Sequence, residues 1–253
     1  MLRLKSKEDI GLLKISGSIL TRVLQELEKK ARPGVSLLDL DKYAAEIIKN
    51  AGGEPAFLGY KATSRSAPYP AVICVSRNET IVHGIPYDTE IKEGDLLSLD
   101  TGIIYKQMVT DGAITLGIGK IPESAKNLLK TAKNALKEGM KMCKPGNKLG
   151  DIGWAIEEEA KRGGCFVVEK LTGHGVGFGL HEEPTVYNFG EKGSGVELEP
   201  GMVLAIEPML AIGTSEVKEC DDGSFETKDG SLAAHFEKTI AITDRGYIDL
   251  TPW

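Results

Sequence analysis

The chain has 253 residues, 41% of them apolar and 27% charged, with a formal net charge of −6. That is enough for one large domain or two small ones, with the composition of an ordinary soluble globule. The negative balance and the lack of a long basic run exclude a nucleic-acid or anionic-membrane partner as the first expectation, and no stretch approaches a membrane span.

The first ten residues, MLRLKSKEDI, lack the apolar core of a secretion signal. Cys74, Cys143, Cys165 and Cys220 are scattered without a Cys-x-x-Cys pair, which predicts reduced thiols in a cytoplasmic protein rather than a zinc knuckle or a disulfide frame. A weak internal repeat then organises the chain. Arg32-Pro33-Gly34 recurs as Lys144-Pro145-Gly146, and at the same offset Leu37 matches Leu149, Asp39 matches Asp151, Glu46 matches Glu158 and Gly52 matches Gly164. Each copy reads as a long helix, a Pro-Gly break, a second helix and a Gly-Gly stop. Ser36 is placed to start the first inner helix, with Asp39 completing a capping box.

Strands follow both copies. The β-branched and apolar runs 71–76, 96–100, 202–207 and 235–242 are the predicted ones. Alternation puts His235, Glu237 and Thr239 on one face of the last, and Asp100 on a face with Ser98. A short excursion through Tyr105-Lys106-Gln107 returns the chain to Asp111, bringing two carboxylates together across a strand pair. The expected fold is α+β: a curved antiparallel sheet, helices outside, carboxylates inside, and residues 1–253 in a single domain with two related halves.

Chemistry concentrates on Asp100, Asp111, His174, Glu207 and Glu237. Each lies in an apolar or glycine-rich context, where a spare charge is costly. Four carboxylates and one imidazole are too anionic to gather without cations, and two divalent metals would resolve the repulsion. His174, inside Gly173-His174-Gly175-Val176-Gly177, supplies a nitrogen that suits Mn, Fe, Co or Zn better than Mg. His83 and His181 are candidates for donating to an oxyanion or moving a proton. His235 is expected to pack or hydrogen-bond beside Glu237, outside the ligand set. The glycine-rich stretch fits neither a phosphate loop nor a dinucleotide fingerprint.

The blocks VSRNETIVHGIP, TGHGVGFGLHEEP, EPGMVLAIEPM and SLAAHFEKTIAIT, with the Asp100-to-Asp111 spacing, resemble the short bacterial type I methionine aminopeptidases in order and over nearly the whole chain. The resemblance implies the "pita-bread" fold, two halves related by a pseudo-two-fold. It implies that Asp100 chelates one metal, that Asp111 and Glu237 bridge both, and that His174 and Glu207 complete the second. Glu207, His83 and His181 would be catalytic, the two histidines also contacting substrate, and Tyr60, Tyr69 and Cys74 would line the methionine pocket. The implied reaction is removal of initiator methionine from nascent chains with a small second residue, by a hydroxide held on two divalent ions (cobalt, manganese, iron or zinc). A monomer with a transient ribosome contact is the implied partner picture. Because Leu2 follows Met1, the chain is expected to keep its own methionine.

Several positions depart from the family pattern. Lys106-Gln107 stand where relatives often have an Asp-Gly turn, which leaves the turn type open. Gly112 follows Asp111, and Lys238 replaces a frequent histidine. Leu180 and Ser224 replace bulky aromatics, which would widen the pocket, and Phe57 replaces a cysteine. The alternatives are a proline-specific peptidase or creatine-type amidinohydrolase of the same fold, and a catalytically dead binding module. The first usually carries an extra N-terminal domain, and the second usually loses ligands.

Overall fold

A computed structural model describes residues 2–61, 63 and 67–253; the expectation about Met1 lies outside them. The elements in chain order are α1 (Lys7–Lys30), α2 (Leu37–Asn50), β1 (Glu54–Pro55), β2 (Cys74–Arg77), β3 (Thr80–Val82), β4 (Leu96–Tyr105), β5 (Met108–Gly117), α3 (Glu123–Lys141), α4 (Leu149–Arg162), β6 (Phe166–Val167), β7 (Gly173–Gly175), β8 (Glu182–Val186), β9 (Val203–Ile206), β10 (Met209–Ala211), β11 (Val217–Glu219), β12 (Phe225–Thr227), β13 (Ala233–His235), β14 (Glu237–Thr243) and β15 (Gly246–Asp249).

The repeat is visible in the backbone. Both Pro-Gly breaks place their glycine in the left-handed region, at φ +85° for Gly34 and +84° for Gly146. Ser36 bridges Glu90 just as Lys148 bridges Glu197, and two-residue strands, β1 and β6, follow at equivalent positions. One helix start differs from expectation. Ser36 makes no cap with its helix, because its hydroxyl donates to Asp88 Oδ1 at 2.8 Å. The capping box sits instead at Ser6 and Asp9, where α1 begins.

A curled antiparallel sheet runs β1-β4-β5-β14-β9-β7-β8, with β2 added beside β4 and β15 beside β14. Its two faces divide cleanly by alternation. Leu97, Leu99, Ile103, Ile114, Leu204, Ile206 and Ile240 join the large core that also holds residues of all four helices. Helix α1 lies directly on this face: Ser16 donates to the Ile103 carbonyl at 2.8 Å and shares a 2.9 Å hydrogen bond with Thr110. The other face carries Asp100, Asp111, Glu237 and their neighbours.

Two predicted strands change at their ends. The run 71–76 becomes a strand only at Cys74, because the Val72 and Ile73 N–H groups donate to Asp41 Oδ1 instead of to a ladder. The run 235–242 is not one strand. It breaks at Phe236, so β13 pairs with β10 while β14 pairs with β5, β9 and β15. The His235 N–H and carbonyl are both taken by the Thr115 hydroxyl, at 2.9 and 2.7 Å, and this holds the residue away from the β14 ladder.

Candidate metal centre and substrate cleft

Strand register explains why distant residues meet. In the β4–β5 hairpin Asp100 lies opposite Ala113, and Gly102 opposite Asp111. Directly paired residues share a face, so the two aspartates are diagonal neighbours on the inner side. Glu237 is opposite Ala113 on the next strand, and His174 is opposite Ala205 two strands further on. The intervening positions are alanine or glycine, which leaves room for the carboxylates. The hairpin closes through Lys106 and Gln107 at φ +47° and +68°. It therefore keeps a two-residue turn with both central residues left-handed, although neither is glycine.

The glycines around His174 have a steric reason. A Cβ on Gly173 would lie 2.4 Å from the Ala205 carbonyl oxygen, and one on Gly175 would lie 2.3 Å from that of Glu183. Only glycine lets β7 fit between its neighbours. His174 Nδ1 donates to the Gly175 carbonyl at 2.9 Å, which leaves the Nε2 lone pair free as a ligand. That Nε2 lies 3.3 Å from Glu207 Oε1 and 3.9 Å from Asp111 Oδ2. His235 approaches the opposite oxygen of the same carboxylate, with Nε2 3.4 Å from Glu207 Oε2 and 3.8 Å from Glu237 Oε2. The predicted position of His235, beside Glu237, is the observed one, although it forms no hydrogen bond there.

The cluster is short of positive charge. Burial, reinforced by the neighbouring carboxylates, pushes Asp100, Glu207 and Glu237 well above the ordinary acid range. Burial lifts Asp111 to about 7 against the Gly112 N–H and Asp100, which pull it down. The same burial lowers His174 to about 4, so the imidazole is neutral. Asp100 Oδ1, Glu237 Oε1 and both His235 nitrogens are buried without a hydrogen-bond partner. Each such group costs about 1–3 kcal/mol if nothing satisfies it. Lone pairs crowded in this way fit divalent cations. Donor atoms of Asp111, His174 and Glu237 lie within 4.8 Å of one another, as do those of Glu207, His235 and Glu237, and Glu237 is common to both groups.

The cleft above this floor is ringed by the remaining candidates. His181 sits over His174 with ring centroids 4.4 Å apart. The Tyr60 hydroxyl lies 2.6 Å from His181 Nδ1; with the tyrosine donating, Nε2–H is left as a donor. The family resemblance assigns Tyr60 to the side-chain pocket, and the sequence gives no sign of this contact, which joins residues 121 positions apart. His83 adopts a left-handed φ of +61° and meets the edge of Phe225 at 5.8 Å. Desolvation holds both His83 and His181 below the usual imidazole value.

Phe57, Cys74 and Leu180 form one buried cluster with Tyr60 and Tyr69 against it. Cys74 lies opposite Asp100, so this cluster adjoins the carboxylates. A Cβ on Gly102 would be 2.9 Å from Phe57 and 3.2 Å from Leu180, so Phe57 stands beside the shortened Leu180. Ser224 is buried, and its hydroxyl donates to Asp222 Oδ1 at 2.7 Å. Two other departures are absorbed elsewhere. A Cβ at Gly112 would meet Leu20 of α1 at 2.9 Å. Lys238 turns away from the site to Asp249, 2.6 Å distant.

Known proteins resemble this arrangement over its whole length. The model of metallopeptidase family M24 matches residues 11–244. A methionine aminopeptidase of Aquifex aeolicus is 43% identical and aligns over 99% of this chain and 98% of its own length. Methionine aminopeptidase 1 of Bacillus subtilis is 39% identical, over 99% of both chains. The crystal structure of the Thermotoga maritima methionine aminopeptidase superposes with a TM-score of 0.95 at 39% identity, covering 99% of each chain. Prolidase from Pyrococcus furiosus, at 22% identity and a TM-score of 0.78, shares the fold, and this chain covers 65% of it. In sequence, in pita-bread architecture and in its cation-ready floor, the chain belongs to metallopeptidase family M24 and, within it, to the methionine aminopeptidases.

Proposed function

We propose that the enzyme removes the N-terminal methionine of nascent proteins and peptides whose second residue is small. The observation that carries the proposal is the convergence of Asp100, Asp111, His174, Glu207 and Glu237 on one sheet face, with buried donor atoms left unpartnered. In this reading Asp100 would hold one cation, Asp111 and Glu237 would be shared by two, and His174 and Glu207 would hold the second. When bound, two divalent ions lower the pKa of an attacking water and polarise the scissile carbonyl. Glu207 accepts the proton that the attacking water gives up. His181, oriented by Tyr60, points its Nε2–H at the developing oxyanion, and His83 contacts the substrate. Tyr60, Tyr69 and Cys74, with Phe57 and Leu180, receive the methionine side chain. Cobalt, manganese, iron and zinc all suit this donor set.

The same reading makes residues 1–253 one catalytic domain, acting as a cytoplasmic monomer with transient access to the ribosome. Among the described residues no helix is long and apolar enough to cross a membrane. The deciding experiment measures metal content together with turnover of Met-Ala-Ser against a proline-containing dipeptide. Stoichiometric metal and cleavage of the methionine peptide alone are expected. Preference for the proline substrate would favour the prolidase-like reading, and absence of both metal and turnover would favour a binding module.

A further inference from the structure

His235 is the one histidine at the floor of the cleft that the reaction above does not use. It is 1% exposed, and neither ring nitrogen has a hydrogen-bond partner. Its backbone is pinned from both directions by Thr115, whose hydroxyl is itself shared with Ser98 at 2.8 Å. The break at Phe236 takes the residue out of the β14 ladder, yet its ring still faces the carboxylates.

The spacing around the ring matters. Nε2 is 3.4 Å from Glu207 Oε2 and 3.8 Å from Glu237 Oε2. Two ligand atoms each about 2.0–2.2 Å from one cation lie roughly 2.8–3.6 Å apart at octahedral or tetrahedral angles. His174 relates to Glu207 Oε1 and Asp111 Oδ2 in nearly the same way, at 3.3 and 3.9 Å. Glu207 thus presents one oxygen to each of two imidazoles, and Glu237 belongs to both donor groups.

We propose that His235 Nε2 is a metal ligand, a second imidazole nitrogen for a divalent cation held between Glu207 and Glu237. The inference rests on the metal-centre reading and extends it from one nitrogen donor to two. It accounts for an isolated imidazole in a wall of carboxylates. A neutral ring there offers a lone pair without adding charge, and it removes a costly unpartnered buried nitrogen. A second nitrogen also moves the site toward metals that prefer imidazole and away from magnesium.

Proton NMR of the full-length cobalt(II)-loaded protein tests this directly. Each cobalt-bound imidazole contributes one strongly shifted ring N–H resonance that disappears in D2O. Two are expected for the wild type, and one for His235→Gln. Calorimetric cobalt titration of His235→Gln should show one of two equivalents weakened by about 10²-fold or more, since even outer partners of metal ligands are worth about 10–100-fold. A single exchangeable shifted resonance in the wild type, or an unchanged spectrum and affinity in His235→Gln, overturns the proposal. Should the variant fail to fold, the wild-type count decides alone. Cobalt bound, Met-Ala-Ser cleaved and one resonance would sink this inference only. No cobalt bound would sink the metal-centre reading with it.

Discussion

Thr239 and Asp111 exchange two hydrogen bonds through a single hydroxyl. Thr239 Oγ1 donates to the Asp111 carbonyl at 2.7 Å and accepts from the Asp111 N–H at 2.9 Å. The backbone ladder between β5 and β14 covers only Glu237–Ala113 and Lys238–Gly112. The threonine side chain continues it by one step and so locks Asp111 beside Glu237. Changing Thr239 to Val keeps the shape but strands two buried backbone groups, each worth about 1–3 kcal/mol. A lower melting temperature and weaker metal binding are expected. Unaltered melting, followed by circular dichroism, would show that the stitch contributes nothing.

Asp111 and Glu237 are themselves the next test. A carboxylate shared by two cations neutralises both, so Asp111→Asn or Glu237→Gln should cost on the order of 10³-fold or more in turnover. Either variant turning over Met-Ala-Ser at a near-wild-type rate, with metal saturating, is incompatible with the bridging role.

The rim histidines should behave differently. His181→Ala or His83→Ala is expected to slow turnover by roughly 10²–10⁴, the usual worth of a positioned donor or acid, while calorimetric metal binding stays nearly intact. Tyr60→Phe removes the hydroxyl 2.6 Å from His181 Nδ1 and should lower kcat more than it raises KM. Loss of metal binding in His181→Ala would make that residue a ligand and would falsify the division of roles.

Removing the metals exposes a pH dependence with a definite sign. In the metal-free protein Asp111 titrates at about 7, far above the ordinary aspartate value near 3.9. Its folded pKa is raised, so the stability tied to its protonation is full below the unfolded pKa and is lost as pH rises through about 7. Asp100, Glu207 and Glu237 are shifted in the same direction. The chelated protein should therefore melt lower at pH 8 than at pH 5.5, and added cobalt or manganese should restore most of the difference at pH 8. A chelated protein more stable at pH 8 contradicts this.

Much of this was legible in the residues. Strand alternation and the offset between the Pro-Gly breaks predicted the doubled architecture and the shared face of Asp100, Asp111 and Glu237. What was not legible depended on contacts made by partners far away in sequence. Ser36 reads as a cap, but Asp88 takes its hydroxyl. Residues 71–73 read as strand, but Asp41 takes the N–H groups of Val72 and Ile73. The run 235–242 alternates like one strand, and the alternation still predicts that His235 and Glu237 face the same cluster. Only Thr115, on another strand, reveals that the two belong to different sheets. Local pattern fixes which way a side chain faces; long-range hydrogen bonds decide where an element starts and stops.

Selectivity rests on size. The cluster of Phe57, Cys74 and Leu180 with Tyr60 and Tyr69 offers apolar walls and no charged partner for a substrate side chain. An unbranched, flexible methionine chain is held there by burial, worth about 1.5–3 kcal/mol. That is too little to reject every isostere, so norleucine peptides should be cleaved as well. The next residue must sit beside the carboxylate floor, so Met-Ala-Ser, Met-Gly-Ser and Met-Ser-Ser should be substrates and Met-Leu-Ser and Met-Lys-Ser should not. Leu180→Phe should crowd the pocket against Phe57 and raise KM for methionine peptides with less effect on kcat. A peptide panel assayed by mass spectrometry checks each point. Cleavage of Met-Leu-Ser as fast as Met-Ala-Ser would show that no size filter operates at the second residue.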